Sequence, residues 1–246
     1  MHETTAVAST FQMVLAALIF VITYVAIMTE RVNRAIVAAL AAGLMIFFGI
    51  LNQEAAVRGV DFNTIGLLVG MMVIVAITRQ SGVFQYLAIW SAKKVNASPW
   101  GILLMLCILT AVASALLDNV TTVLLIVPIA LLITEELKVS AYPYLFSMIV
   151  FSNIGGTATL IGDPPNIMIG SAVGLTFTDF VFNTGPVILV VMTATLLPIY
   201  LIWGRTLNAA AEDRQRVMDF NEREAITDAL LLKECLGVIA AVILGF

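Results

Sequence analysis

The sequence predicts an all-α integral membrane protein, a multi-span helical bundle that contains a re-entrant hairpin and a broken helix. Hydrophobic residues make up 61% of the 246 residues, charged residues make up 11%, and the mean hydropathy is +1.05. These values lie outside the range of soluble domains. The run 151–171 nevertheless contains four glycines and two prolines. Helix breakers at membrane depth are tolerated only where the backbone is buried in protein or lines a polar cavity, so we expect a binding site of the kind found in secondary transporters.

Composition also excludes several classes of function. The net charge of −4 comes from acids that cluster in loops, so nothing supports nucleic-acid binding. Cys107 and Cys235 lack a C-x-x-C spacing and His2 is a lone residue, so we predict neither a disulfide framework, a metal centre nor a cofactor beyond a coupling ion. Because the first ten residues contain no Lys or Arg, the first apolar run is predicted to be a retained span. We expect the plasma membrane of a bacterium or archaeon.

The first 99 residues are predicted to form scaffold-type helices. Apolar runs near the roughly 17–25 residues that a spanning helix needs occur at 11–28, 35–51 and 62–78. The shorter segment 83–92 carries Phe84, Leu87 and Trp90 on one side and precedes two lysines. This pattern predicts an amphipathic helix that lies at the membrane interface.

Residues 100–203 are predicted to form a transport-type unit. The apolar segment 100–135 would be about 54 Å long as one helix, which is too long for a single crossing. Because Asp118 and Asn119 lie near its middle, we expect the segment to fold back there. It is either a re-entrant hairpin or two short full spans with a minimal turn. A broken helix over 142–173 and a span over 185–203 complete the unit.

The basic residues predict that the N-terminus lies outside. If 142–173 crosses once, eleven of the twelve Lys and Arg are cytoplasmic and only Arg58 is external. If that segment loops back instead, the five basic residues from Arg205 to Lys233 lie outside. Segment 204–234 is predicted to be a cytoplasmic connector with amphipathic helical character. The last apolar run, 235–246, is too short to span, so we expect it to be the start of a truncated span.

The first chemical motif is the polar group at the fold-back, Asp118, Asn119, Thr121 and Thr122. An ionised carboxylate near the bilayer centre costs about 2.5–3.5 kcal/mol, so Asp118 needs local compensation. Asp118 or Asn119 can cap the second half-helix, while carbonyl groups end the first half at the same place. Such oxygens suit Na⁺, or a carboxylate that exchanges a proton. The alternative is a cap that faces water at an external turn.

The second motif runs from Ser152 to Asn166. Gly155 and Gly156 predict an unwound backbone, and Thr157 and Thr159 would then lie on the same side of an extended segment. We expect the tip of the hairpin to face this loop across a cavity. The alternative is a surface loop between two short buried helices.

A new half-helix is predicted after Asp163, which precedes Pro164 and would serve as its N-cap. The positive end of the helix dipole would then face the cavity and attract anions. The candidate ion- and substrate-binding residues are Asp118, Asn119, Thr121, Thr122, Asn153, Gly155, Gly156, Thr157, Thr159, Gly162, Asp163, Pro164 and Asn166. A Na⁺ ion is expected at Asp118, Asn119, Gly155 and Gly156.

The chain resembles the ion transporter superfamily in two stretches. These are Leu117 to Thr122 with Pro128, and the run GGTATLIGDPPN at 155–166. The superfamily includes arsenite permeases, NhaD-type Na⁺/H⁺ antiporters, citrate and dicarboxylate carriers and the P protein, and the closest likeness is to the arsenite-permease and P-protein branch. The resemblance implies that the hairpin tip and the glycine-rich loop bind cation and substrate together. Asn119 and the loop from Gly155 match the pattern of the dicarboxylate carriers. Asp118 and Val120 depart from it, which favours H⁺ or Na⁺ coupling over dicarboxylate transport.

The resemblance further implies two inverted repeats, of which this chain is the first, and a homodimer. The expected function is secondary active transport of an anion or small inorganic solute, coupled to H⁺ or Na⁺, with Na⁺/H⁺ antiport as the alternative. Two other classes compete with transport. An intramembrane aspartyl protease could use Asp118 and Asp163, but the second aspartate follows Leu160–Ile161–Gly162 instead of the Gly-x-Gly of such proteases. A non-transporting membrane module is the third class. We therefore expect no enzyme.

Overall fold

The computed structural model describes residues 9–245, and this part of the chain contains helices and no strands. It forms two compact units that divide between Phe62 and Asn63. Five of the described helices are long and apolar enough to cross a membrane. The predicted all-α membrane fold is therefore confirmed.

The first unit holds α1 (Thr10–Met28), α2 (Arg34–Phe47) and α3 (Gln53–Arg58). A capping box between Ser9 and Gln12 starts α1. The predicted span 35–51 is wrong at its end, because α2 stops at Phe47 after 14 residues and Gly49 adopts a left-handed conformation. At about 21 Å, α2 is shorter than the five helices that are long enough to cross a membrane. The sequence analysis missed α3, which begins because the Asn52 side chain accepts from the Ala55 N–H.

The second unit holds nine helices within the described residues. They are α4 (Phe62–Gln80), α5 (Val83–Lys94), α6 (Pro99–Leu116), α7 (Asn119–Glu136), α8 (Tyr142–Gly156), α9 (Pro164–Val173), α10 (Phe177–Ile199), α11 (Ala211–Met218) and α12 (Ala229–Gly245). A π-helical turn, Tyr200–Gly204, continues α10, and a 3₁₀ turn, Glu222–Ala225, follows α11.

Several predicted boundaries differ from those of the structure. The span predicted from 185 begins at Phe177, because Thr176 and Asp179 form a capping box ahead of it. The last apolar helix begins at Ala229 instead of 235. The buried face of α5 contains Phe84, Ala88, Ser91 and Ala92, whereas Trp90, predicted on the same side as Phe84, is 41% exposed.

The core of the second unit is built around α6. Ile102, Leu103 and Leu106 on this helix are fully or almost fully buried, as is Ile133 on α7. Tyr144 on α8 is also buried, and its hydroxyl donates to the Pro99 carbonyl at the start of α6 over 2.8 Å. A buried phenol needs such a partner. The hairpin α6–α7 and the first half of the broken helix therefore share one core.

The segment between α10 and α12 docks on the turns that connect the helices. Lys93 donates to a carboxylate oxygen of Glu222 over 2.7 Å, and Lys138, just after α7, pairs with Asp213 over 2.8 Å. Arg214 donates twice to the Asn96 carbonyl, at 3.2 and 2.7 Å. Gly82 has a φ of +77°, and any side chain there would overlap the Ala225 carbonyl. The predicted connector is thus fixed to three turns of the bundle.

The Lys93–Glu222 contact predicts a pH-dependent stability. The hydrogen bond from Lys93 holds the pKa of the Glu222 carboxyl below its usual value. A carboxyl with a depressed folded-state pKa stabilises the fold above its unfolded-state pKa, and this stabilisation is lost as pH falls through the folded-state pKa. We expect Glu222→Gln to lower the thermal unfolding temperature of the full-length protein at pH 7, with the difference disappearing in acid.

Glu212→Gln is the matched control. Its side chain is 80% exposed and pairs with Arg216 within one helix, so its removal should change the unfolding temperature little. Equal unfolding curves for Glu222→Gln and the wild type at pH 7 would show that the connector is not held by this contact.

Candidate ion and substrate site

The site depends on a close approach between the ends of α6 and α8. An added side-chain carbon at Gly155 would overlap the backbone of Ala111, so only glycine fits at this crossing. One turn further along α6, the Ser114 hydroxyl donates to the Ser152 carbonyl over 2.6 Å. Small residues that bring two helix backbones together are a known feature of membrane interfaces. The two helices can therefore hold the hairpin tip next to the break in the second motif.

The break in the helix covers residues 157–163, which form turns and bends between α8 and α9. The predicted unwinding at Gly155 and Gly156 is wrong, because both are helical and their small size serves close packing. A side-chain carbon at Gly156 would lie 2.7 Å from the Gly162 carbonyl, and one at Gly162 would overlap Gly156. The break thus folds back onto the end of α8.

The two threonines of the break do not lie on one side of an extended segment, contrary to the prediction. Thr157 has a helical φ of −70° and ψ of −13°, and its hydroxyl donates to the Asn153 carbonyl over 2.8 Å. The Thr159 hydroxyl donates to the Ala115 carbonyl at the end of α6. Both hydroxyls therefore donate to backbone carbonyls near helix ends; the Asn153 carbonyl also accepts from the Thr157 N–H.

Asn166 closes the break from the other side. Its amide nitrogen donates to the carbonyls of Thr157 and Thr159, at 3.2 and 2.8 Å, and its side chain is buried. Asp163 is the N-cap residue of α9, as predicted, but its side chain makes no capping hydrogen bond, and Pro164 occupies the first turn. The first turn of α9 nevertheless leaves few donors free, because Pro164 and Pro165 have no N–H and the Asn166 and Ile167 N–H groups donate to the Asp163 carbonyl.

Two buried polar groups that remain without a partner lie at the hairpin tip. Asp118 caps α7, as predicted, because its Oδ1 accepts from the Thr121 N–H over 2.8 Å. The Asn119 amide nitrogen donates to the Asn153 side-chain oxygen over 2.9 Å. Asp118 Oδ2 and the Thr122 hydroxyl are buried and have no hydrogen-bond partner among the described residues. These two oxygen-bearing side chains lie one helical turn apart on α7.

The tip touches the second motif directly instead of facing it across a cavity, since Asn119 bonds to Asn153 and Thr159 bonds to the end of α6. A cavity of about 460 Å³ lies elsewhere, between α4 and the start of α7. Thr121 lines it together with α4 residues from Met72 to Gln80. The tip therefore lies beside the second half of α4 and not beyond its Phe62 end.

The structure thus brings Asn119 next to Asn153. Thr159, within the break, bonds to the end of α6, and Asn166 closes the break from α9. Gly155, Gly156 and Gly162 contribute close packing. The sequence analysis missed Ala111, Ser114 and Ala115 as parts of the site, and it included Ser152 in the second motif but not among the candidate binding residues. A signal for them exists, because Ala111 and Ala115 on one helix and Ser152 and Gly156 on the other repeat at an interval of four residues.

The fold and this arrangement define a class of membrane transporter. The family model described as "Citrate transporter" matches residues 24–246, so the chain belongs to the citrate transporter family. It is an integral membrane protein of a transporter family, and the resemblance to the ion transporter superfamily is confirmed.

Individual relatives agree with this assignment. A "46 kDa membrane protein" of Mycobacterium leprae is 45% identical over 242 residues, and an "uncharacterized transporter" of Mycobacterium tuberculosis is 43% identical over 237 residues; each alignment covers 95% of this chain and 55% of the relative. The human P protein is 36% identical over 207 residues, which cover 80% of this chain and 25% of that protein. The chain therefore spans about half the length of its mycobacterial relatives.

The crossing of α6 and α8 predicts a strong effect of a single methyl group. We expect Gly155→Ala to lower the free energy of unfolding by about 1–3 kcal/mol, because the added carbon forces the Ala111 backbone away. Chemical unfolding of the full-length protein in detergent measures this. Gly43→Ala is the control, since nothing lies within 4 Å of a carbon added there. Equal losses in both variants would contradict the packing role of Gly155.

The amide of Asn166 predicts a local effect. Asn166→Asp keeps the shape of the side chain but replaces a donor by a carboxylate that cannot donate to the carbonyls of Thr157 and Thr159. We expect faster backbone hydrogen exchange in residues 157–163, measured by mass spectrometry. Asn183→Asp is the matched control, because Asn183 donates to the Asp179 carbonyl on the exposed surface of α10. Unchanged exchange in 157–163 would contradict the closing role of Asn166.

Proposed function

We propose that this chain is one half of a secondary active transporter that moves an anion or a small inorganic solute, coupled to H⁺ or Na⁺. The observation that carries the proposal is the buried Asp118 Oδ2, which has no partner among the described residues although it lies at the tip of a membrane hairpin. Membership of a transporter family supports the assignment to transport proteins. No catalytic role is proposed for any residue.

The coupling argument rests on the cost of this carboxylate. An ionised group at membrane depth costs about 2.5–3.5 kcal/mol, and one capping hydrogen bond, from the Thr121 N–H, compensates only one of its two oxygens. The other oxygen needs a proton or a cation. Thr122 adds a second unpaired oxygen one turn away, and hydroxyl and carboxylate oxygens are the ligands that hard cations prefer.

The carbonyl groups of the predicted Na⁺ site support cation binding less directly than Asp118 does. The Gly155 carbonyl accepts from the Ala158 N–H, and the Ala115 carbonyl accepts from Thr159. Each carbonyl oxygen has a second lone pair, so Gly155 and Gly156 stay proposed ligands beside Asp118 and Asn119. Na⁺/H⁺ antiport at this site is the second candidate, since one carboxylate can bind either ion but not both together.

The anion part of the proposal rests on α9. This ten-residue helix begins next to the break, and its first turn lacks a side-chain cap. The positive end of the helix dipole favours negative charge there, although Pro164 and Pro165 have no N–H and the Asn166 N–H donates to the Asp163 carbonyl. Half-helices that end at a central site are the common means by which inverted-repeat transporters bind both ions and solutes.

The arrangement of the whole protein is also a proposal. A re-entrant hairpin is proposed, and the position of its tip beside the second half of α4 supports it. The N-terminus is outside, which leaves eleven of the twelve basic residues in the cytoplasm. A second repeat completes the site, two copies form a dimer, and 1–99 and 100–203 act as scaffold-type and transport-type parts.

The test is Asp118→Asn in the full-length transporter, reconstituted in proteoliposomes. Asparagine also caps helices well, so the fold should survive. We expect gradient-driven uptake or antiport to lose its dependence on pH and Na⁺, because the titratable oxygen is gone. Asn119→Ala should weaken cation binding by removing an amide from the tip. Folding of each variant is checked by its unfolding temperature.

Two results would contradict the proposal. An unchanged dependence on both pH and Na⁺ in Asp118→Asn would place coupling elsewhere. Dependence on Na⁺ and H⁺ in opposite directions, with no cotransported solute, would favour the antiporter over the anion transporter.

A further inference from the structure

Two buried hydroxyl groups between α6 and α8, those of Thr110 and Ser147, take no part in the candidate site. Both residues are 0% exposed, and neither hydroxyl has a hydrogen-bond partner among the described residues. Burial of an unpaired hydroxyl is costly, and the lipid offers it no hydrogen bond. Each of these groups therefore needs a partner inside the bundle.

The usual partner of such a hydroxyl in a membrane helix is a carbonyl of the same helix. Thr78, Thr193 and Thr195 each donate to the carbonyl four residues earlier over 2.8 Å. Thr110 and Ser147 lie within α6 and α8 and have the same option, but neither makes this bond. Their oxygen atoms are therefore oriented for a partner outside their own helices.

The two hydroxyl groups lie close together along the interface. Thr110 follows Cys107 by three residues, so both side chains share one face of α6, about 4.5 Å apart along its axis. The Ser147 hydroxyl lies beside the Cys107 thiol, which is a weak hydrogen-bonding group and does not replace a full partner. An oxygen atom that bonds to two hydroxyls over about 2.8 Å each joins groups about 5.5 Å apart. One small molecule can thus reach both hydroxyls.

We propose that Thr110 and Ser147 bind an internal water molecule between α6 and α8. Neither helix contains a charged residue, so a bound ion would lack a counter-charge there, whereas a neutral ligand meets no such cost. Water is small and both donates and accepts hydrogen bonds. Buried water that pairs otherwise unsatisfied polar groups is a regular part of protein interiors.

This water gives the helix pair a second kind of contact. At Ala111 and Gly155 the two backbones approach too closely for any side chain, whereas the neighbouring hydroxyls are joined through a bound molecule. A water-mediated hydrogen bond is nearly as favourable as a direct one. The inference does not depend on the transported solute or on coupling at Asp118, so it goes beyond the proposed function.

A hydrated interface and a dry one respond in opposite directions to Thr110→Val, which keeps the shape of the side chain and removes the hydroxyl. In a hydrated interface the change takes a partner from the water and lowers the unfolding temperature. In a dry interface it removes an unpaired polar group and raises the unfolding temperature.

The test measures thermal unfolding of the full-length protein in detergent for Thr110→Val, Ser147→Ala and the double variant. We expect each single variant to unfold a few degrees below the wild type. The double variant should lose less than the sum, because both hydroxyls hold the same molecule. Thr193→Val is the matched control, since the Thr193 hydroxyl already donates to the Leu189 carbonyl, and we expect no change.

Several results would overturn the water site. These are a higher or unchanged unfolding temperature in Thr110→Val, an equal fall in Thr193→Val, and fully additive losses in the double variant. A structure of the wild-type full-length protein at about 2 Å resolution provides a direct check, because we expect an ordered water within about 3.2 Å of Thr110 Oγ1 and Ser147 Oγ. A dry contact at both atoms would also overturn the site. None of these results changes the proposed function, which depends on Asp118.

Discussion

The approach of α6 to α8 at Ala111 and Gly155 is the contact on which the rest of the site depends. No side chain fits between the two backbones there, so the distance between the helices is set by backbone atoms. This places Ser114 close enough to donate to Ser152, and brings the end of α6 within reach of Thr159. A wider crossing would separate the hairpin tip from the break and remove the hydrogen bonds that Ser114 and Thr159 donate to the Ser152 and Ala115 carbonyls.

Most polar groups of the break and of the hairpin tip are paired within the protein. Lipid offers no hydrogen bonds, so irregular backbone must find partners in the chain itself. Thr157, Thr159 and Asn166 supply these partners for the break, and Asn119 bonds to Asn153 across the tip. Against this background Asp118 Oδ2 and the hydroxyls of Thr110, Thr122 and Ser147 are exceptions, and Asp118 is the ionisable group among them. Ionisable groups in membrane segments are the expected places for ions to bind.

The two ends of the hairpin are held by different forces. At its base, the turns are fixed by charged contacts such as Lys138 with Asp213, in a region where polar side chains reach water. At its tip, the contacts are close backbone packing and single hydrogen bonds. Ion pairs at the base depend on pH and salt, whereas the packing at the tip does not. The position of the tip should therefore be the less sensitive of the two to solution conditions.

The sequence alone determined the fold class, because only membrane spans can bury runs as apolar as those of α1, α4, α6 and α10. It also determined the positions of the two breaks to within a few residues, since Asp118 and the prolines after Asp163 cannot continue a helix in lipid. The tertiary structure decided what the glycines do: Gly155 and Gly156 look like sites of unwinding, but the need for space beside Ala111 and Gly162 keeps them helical and close-packed. It also decided which polar groups are free, because the partners of Thr157, Thr159 and Asn166 are carbonyls whose positions depend on how the helices pack. Local pattern fixes where a chain must bend, whereas the pairing of each polar atom depends on contacts between residues distant in the chain.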